Sequence, residues 1–337
     1  MKKVVVLGPC QAGLAEVPDP RAKEDWALVK VHVAPMCTEY KHFQAGRTAE
    51  HLGHEAAGEV VEVAQAGKVK VGDRVVAMPL YGCGDCYLCN SGDFIHCQSR
   101  RDYCEIHGNY EGMATYGQYI LKQDWLLLPI PDDLSYEKGG LACCGLGPSF
   151  GAMQAMNVNS FDTVLIAGAG PVGLGATVNA RFRGAKVIVV ESNPYRVDIA
   201  QKMGATVVNP KDPDVLQQIM ALTNGVGVDC GLDCAGVVAA QRLLIDATRR
   251  RGQVCFIGEC SDDLPIRISP DMLRKGLILR GIWHFNLADY PKVVKVIRES
   301  PIVDLLISHT VPMSKIQEAF ELSASNQNAK IMMHPWE

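Results

Sequence analysis

The chain has 337 residues, 48% hydrophobic and 21% charged, which is enough to bury a sizeable core and divide into two domains. Its 33 Lys and Arg stand against 37 Asp and Glu, a net charge of −4, and no basic run is interleaved with aromatics, which argues against nucleic acid as a partner. The 13 cysteines are an odd number, and Cys143, Cys230, Cys234 and Cys255 lie in apolar segments where a reduced thiol behaves as a small core residue, so a cytoplasmic setting is expected.

Met1, Lys2 and Lys3 give the chain the positive start of a signal peptide. The apolar run behind them stops at Gly8 and Pro9, too short for such a segment, and reads instead as a first strand. Short Val-rich runs at residues 26–33, 59–63, 73–78 and 116–121, separated by Gly, Pro and Asp turns, predict a β-rich first domain. From residue 161 the pattern becomes strand (163–167), glycine turn, helix (171–182) and strand (186–190). Buried strands at 227–232, 252–258 and 277–280, flanked by helical stretches such as 239–249, complete a doubly wound parallel sheet and an α/β fold. An amphipathic stretch at 313–322 and a strand at 330–333 end the chain. Between Lys138 and Arg181 the only charge is Asp162, but the many glycines, with Pro148, Pro171 and Gln154, point to buried core and a cofactor turn rather than a membrane span.

Cys83, Cys86, Cys89 and Cys97 have the spacing of four thiolates that converge on one tetrahedral zinc, a closed structural site. Gly168, Gly170 and Gly173, with Pro171 and Val172 between them, open a helix directly after a strand. There glycines permit a tight turn, close approach of backbone to a pyrophosphate, and close helix packing. Glu191 ends the next strand 18 residues past Gly173, where an acid binds ribose hydroxyls and favours NAD over NADP. Arg196 is the residue that would hold a 2′-phosphate if Glu191 pointed elsewhere. Gly53, His54 and Glu55 set an imidazole beside a carboxylate among small residues, a candidate metal ligand that needs partners; Cys37 and Cys144 are suitable ones, although spacing does not establish the trio.

In this order, Cys37 with His42 five residues later, the 53–55 segment, Val71-Gly-Asp-Arg-Val75, the four-Cys lobe, the Cys144 segment and the glycine turn resemble the zinc-dependent alcohol dehydrogenases of the medium-chain dehydrogenase/reductase superfamily, nearly end to end. The resemblance implies a GroES-like catalytic domain at 1–150, with a structural zinc lobe at 83–97 and completion by residues 286–337. It implies a Rossmann domain at 151–285, an active site in the cleft between, and assembly into dimers or tetramers. It further implies two zinc ions and NAD, with Cys37, His54 and Cys144 as catalytic zinc ligands and Cys143 excluded by the family's spacing to Gly151. Glu55 matches the acid that can replace solvent on the metal, and His42 the residue that passes a proton to solvent.

One departure stands out. Family members read Cys-x-Ser/Thr-Asp after the ligand, whereas this chain reads Cys37-Thr38-Glu39-Tyr40. Ungapped counting puts Glu39 where a hydroxyl takes the substrate's proton, and a shift of one residue puts Thr38 there. The expected reaction is NAD-dependent oxidation of a secondary alcohol or polyol to a carbonyl compound. Trp283, His284 and Phe285 are candidates for lining the cleft or for interdomain core. A metal-free quinone or enoyl reductase would lack the ligand set and bind no second zinc, and a binding protein on this fold would produce no NADH.

Overall fold

The Val-rich runs form largely buried antiparallel strands, and the computed structural model describes all 337 residues. β1 (Lys2–Gly8) and β2 (Gln11–Glu16) form a hairpin. The ten-residue β3 (Trp26–Pro35) is the spine of the next sheet, pairing antiparallel with β4 (Ala56–Glu62) and, further on, with β6 (Tyr119–Gln123). β5 (Arg74–Ala77) joins β4, and β7 (Leu127–Pro129) joins β5. The expected strand at 116–121 begins only at Tyr119, because Tyr116 turns its amide to the Leu52 carbonyl at 2.9 Å instead of into the sheet.

Six parallel strands follow: β8 (Thr163–Ala167), β9 (Lys186–Val190), β10 (Thr206–Val208), β11 (Val228–Asp233), β12 (Thr248–Phe256) and β13 (Ile278–Gly281). Their spatial order, β10-β9-β8-β11-β12-β13, is the doubly wound Rossmann order, whose direction reverses between β8 and β11. The helix expected over 239–249 stops at Ala247, and β12 starts four residues earlier than expected. Thr248 pairs with Val228, and Arg249 Nε donates to Asp229 at 2.6 Å, so both residues are drawn into the sheet beside β11. The span between Lys138 and Arg181 folds into short helices and β8, and no helix of the chain is long and apolar enough to cross a membrane.

β14 (Ile307–Pro312) and β15 (Lys330–His334) return to the first sheet, where β15 pairs with the end of β3 through Met332 and Pro35. The chain thus forms two units: Met1–Cys144 with Asn286–Arg298 and Ile307–Glu337, and Gly145–Phe285 with Glu299–Leu306. The helix Gly147–Ala155 therefore belongs wholly to the second unit. In the first, Val29, Val31, Val60, Val75 and Ile331 are each fully buried, and each such side chain contributes roughly 1.5–3 kcal/mol. Antiparallel pairing of Val33 with Ala57 sets the exit of β3 beside the entry of β4, and β15 brings its first residue to the same end.

Candidate active site

That end of the sheet collects Cys37, just past β3, His54 and Glu55, just before β4, and Cys144, in the turn after the helix Tyr136–Gly140. Their ligand atoms all lie within 4.8 Å of one another, and His54 Nε2 is 3.2 Å from Cys144 Sγ. Cys143 points away, its thiol 3.3 Å from the Ala77 carbonyl. The donor set suits a cation. A bond from the Cys144 thiol holds Cys37 well below the usual thiol range, while the same bond and burial push Cys144 well above it. Burial disfavours a charged imidazole, yet Cys37 and Glu39 outweigh it and raise His54 to about 11.

Glu39 is tied to the ligand group on both of its oxygens. His54 Nδ1–H donates to its Oε1 at 2.6 Å, and Tyr116 Oη and the Cys37 amide donate to Oε2 at 2.9 and 3.2 Å. These three bonds take most of the carboxylate's roughly four acceptor positions for orienting the ligands. Burial opposes its charge, but the His54 and Tyr116 bonds win and hold it at about 2. This is the outer support that metal-bound histidines require, and it leaves Nε2 for the metal. Thr38 is exposed, as is His42 in the helix Tyr40–Ala45.

Glu55 is fully buried and accepts from Lys330 Nζ at 2.5 Å and from the Cys144 amide at 3.0 Å. Desolvation raises it to about 7 against the pull of Lys330, itself raised by Glu55 despite burial. Its Oε1 stands 3.8 Å from His54 Nε2, beside the ligands.

The four-Cys lobe closes on itself. Separations of 3.6 Å for Cys86 to Cys89 and 3.9 Å for Cys83 to Cys89 and Cys86 to Cys97 match the roughly 3.8 Å that tetrahedral zinc demands at Zn–S of about 2.3 Å. The Asp85 backbone amide, ahead of burial, which opposes it, lowers Cys83 to about 7, whereas burial pushes Cys89 to about 12. Gly82 is required here, since a Cβ would lie 2.6 Å from Cys89 Sγ.

In the second unit the turn after β8 is shaped as a cradle. A Cβ on Gly173 would sit 1.8 Å from the Gly168 carbonyl oxygen, and Gly168 has φ +90°. Pro171 starts the helix Pro171–Phe182, where its missing N–H is no loss. Glu191 accepts from the Ala169 amide at 2.9 Å and from the Ser192 and Asn193 amides at 2.7 and 2.8 Å. Two carboxylate oxygens offer about four acceptor positions, so one remains for a hydroxyl. A Cβ on Gly170 would lie 3.9 Å from Arg196 Nη1, which places that guanidinium beside the turn. His284 and Phe285 are buried within this unit against Gly151 and Phe150, so they are core there.

Comparison with known proteins agrees with this geometry. The alcohol dehydrogenase GroES-like domain matches residues 23–132, and the zinc-binding dehydrogenase family matches 171–299. Sorbitol dehydrogenase of Bacillus subtilis (strain 168) is 31% identical over 99% of this chain and 97% of its own. The chain belongs to the zinc-binding alcohol dehydrogenase family. Among other relatives of this alcohol and polyol dehydrogenase family, D-arabitol-phosphate dehydrogenase of Enterococcus avium is 29% identical over 96% of this chain and 94% of its own. An alcohol dehydrogenase from Thermus sp. ATN1 superposes with a TM-score of 0.90, at 25% identity and 99% coverage of both chains. Two residues at this dehydrogenase's site, Tyr116 and Lys330, carry no motif of their own. Lys330 reaches the ligands through the pairing of β15 with β3, and Tyr116 through backbone bonds from residues 115 and 116 to Gly53 and Leu52, signals absent from local spacing.

Proposed function

We propose that this chain is a zinc-requiring, NAD-dependent dehydrogenase that oxidises a secondary alcohol or polyol to a ketone or aldehyde. The observation that carries the reading is the convergence of Cys37, His54 and Cys144 with His54 held in one tautomer by Glu39. The names of the polyol dehydrogenases among its relatives support the substrate class.

When bound, zinc supplies Lewis-acid polarisation of the substrate oxygen, and NAD supplies the hydride-accepting ring. Cys37, His54 and Cys144 would hold the metal, and three protein ligands are the number that a catalytic zinc with an open position requires. Lys330 holds the Glu55 carboxylate beside the ligands. Thr38 takes the hydroxyl proton and His42 passes it to solvent. Gly168, Gly170 and Gly173 admit the pyrophosphate at the N-terminus of the helix Pro171–Phe182, with Pro171 and Val172 in its first turn and Arg196 alongside. Glu191 takes the ribose hydroxyls. Cys83, Cys86, Cys89 and Cys97 hold a second, structural zinc.

Thiolate donors in both groups call for a reducing, cytoplasmic setting. The open edge of β13, where Ile278, Arg280 and Gly281 are exposed, supports a homodimer or tetramer, which sedimentation measures. The deciding experiment follows NADH absorbance over a panel of alcohols and polyols, with zinc-depleted and zinc-restored protein. Turnover that appears only with zinc supports the reading, and its absence across the panel, or zinc-independent turnover, overturns it. His54→Ala is expected to stay folded, bind NAD and turn over nothing.

A further inference from the structure

We infer that Tyr116 is a positioning residue for the catalytic metal group, the point at which the supports of two ligands, Cys37 and His54, are joined. The inference rests on the reading that Cys37, His54 and Cys144 hold a metal ion.

A buried tyrosine needs a partner for its hydroxyl, and any carbonyl would satisfy it. Tyr116 is 2% exposed, and its partners are of a different kind. Its hydroxyl donates to Glu39 Oε2 at 2.9 Å, whose other oxygen holds His54 Nδ1 at 2.6 Å. The same hydroxyl accepts from the Cys37 amide at 3.3 Å, while that amide also donates to Glu39 Oε2 at 3.2 Å. One phenol, one carboxylate and one amide thus form a closed triangle behind two metal ligands that lie 17 residues apart in sequence.

The ring acts on the same ligand from another direction. A Cβ on Gly53, immediately before His54, would meet Tyr116 Cδ1 at 2.2 Å, and Gly53 has φ +90°. The turn that aims His54 is therefore laid against the ring of the tyrosine. Backbone bonds fix the two chains together, from the Tyr116 amide to Leu52 O at 2.9 Å and from the Thr115 amide to Gly53 O at 3.2 Å. Tyr116 is itself braced, since the Val4 amide donates to its carbonyl at 2.8 Å and its ring lies 6.3 Å from that of Phe320. Without the hydroxyl, Glu39 keeps the Cys37 amide on Oε2 but gains freedom to turn, and the acceptor for His54 loosens.

The test is Tyr116→Phe, which keeps the ring on Gly53 and deletes one oxygen. Zinc affinity is measured for each of the two equivalents per chain by competition with a chromophoric chelator. The weakening expected for the catalytic equivalent is about tenfold, the low end of the 10–100-fold range for outer supports, with the four-Cys equivalent unchanged. Tyr103→Phe is the control, because it deletes the same oxygen from a buried tyrosine whose hydroxyl donates to an ordinary carbonyl, that of Glu111 at 2.7 Å, and should leave both equivalents as in the wild type. Glu39→Gln combined with Tyr116→Phe should be no weaker than Glu39→Gln alone, since both act through one path. Catalytic zinc held by Tyr116→Phe as tightly as by the wild type, or losses that simply add in the double variant, overturn the inference. A wild-type chain that takes up only the four-Cys zinc removes the metal reading beneath it, which is a separate result from a wild type that binds two.

Discussion

Glu39 Oε1 lies 2.6 Å from His54 Nδ1, and this contact decides which ring nitrogen is left to bind a metal. Glu39→Gln keeps an oxygen to accept the bond but loses the charge that favours it. Catalytic zinc affinity should fall 10–100-fold. Thr38→Val should instead leave zinc content intact and lower kcat by roughly 10² to 10⁴, the range for removing a group that handles the proton. Zinc analysis beside steady-state kinetics separates the two, and the opposite pattern would return the proton to Glu39.

Cys89→Ser addresses the closed lobe. Cys89 is buried and stands 3.6 and 3.9 Å from Cys86 and Cys83, so the change removes one of four ligands from a site with no open position. Loss of a metal is among the few single changes that cost more than about 4 kcal/mol. The variant should carry one zinc per chain and melt well below the wild type by calorimetry. An unchanged melting curve would mean that the lobe adds nothing to stability.

The Rossmann strands β8 and β9 were legible as short continuous apolar runs, and the helix between them by Gly170 and Pro171 at its start and Gly184 past its end. The four-Cys lobe was legible because its ligands are local. The other metal group assembles from β3, β4 and the 144 turn, and residue types alone left its membership open until the family resemblance named it. The bonds of Glu39 to His54 and Tyr116 were hidden because side-chain reach, not residue counting, decides which groups a carboxylate meets. Lys330 lies 275 residues from Glu55, and only the pairing of β15 with β3 brings them together.

Lys330→Met tests that pairing. Both partners are almost wholly buried, so removing the ammonium leaves a carboxylate without compensation, a change that typically costs about 3–5 kcal/mol. Thermal unfolding of the zinc-loaded protein should show the loss, and Glu55→Gln added to Lys330→Met should recover most of it. A double variant as unstable as Lys330→Met alone would show that the lysine stem, not the charge, matters.

Zinc uptake at the catalytic group should be steeply dependent on pH. Cys144 is held well above the thiol range and His54 at about 11, so both carry protons at neutral pH that a metal must displace, whereas Cys37 is already a thiolate. Binding of the second zinc equivalent should release about two protons, and its apparent affinity should rise about 100-fold per pH unit near neutrality and fall on acidification. A weakly buffered solution with a pH indicator reads the release directly. Uptake without proton release would mean that the ligands are deprotonated before the metal arrives.

The NAD reading turns on Glu191. Its carboxylate is tied to the amides of Ala169, Ser192 and Asn193, which fixes it at the end of β9 beside the glycine turn. A 2′-phosphate brought there would meet a like charge, and at about 4 Å in an effective dielectric of about 20 each unit charge is repelled by roughly 4 kcal/mol before screening. Arg196 offsets part of this from its place by Gly170, so the expected net preference is tenfold or more for NAD in kcat/KM. Glu191→Gln removes the repulsion and keeps an acceptor for the loop amides, so discrimination against NADP should shrink while NAD use falls only modestly. Glu191→Ala also removes the tie to Ala169, and KM for NAD should rise as the turn loosens. Equal kcat/KM for the two cofactors in the wild type would show that Arg196, not Glu191, governs the ribose end of the site.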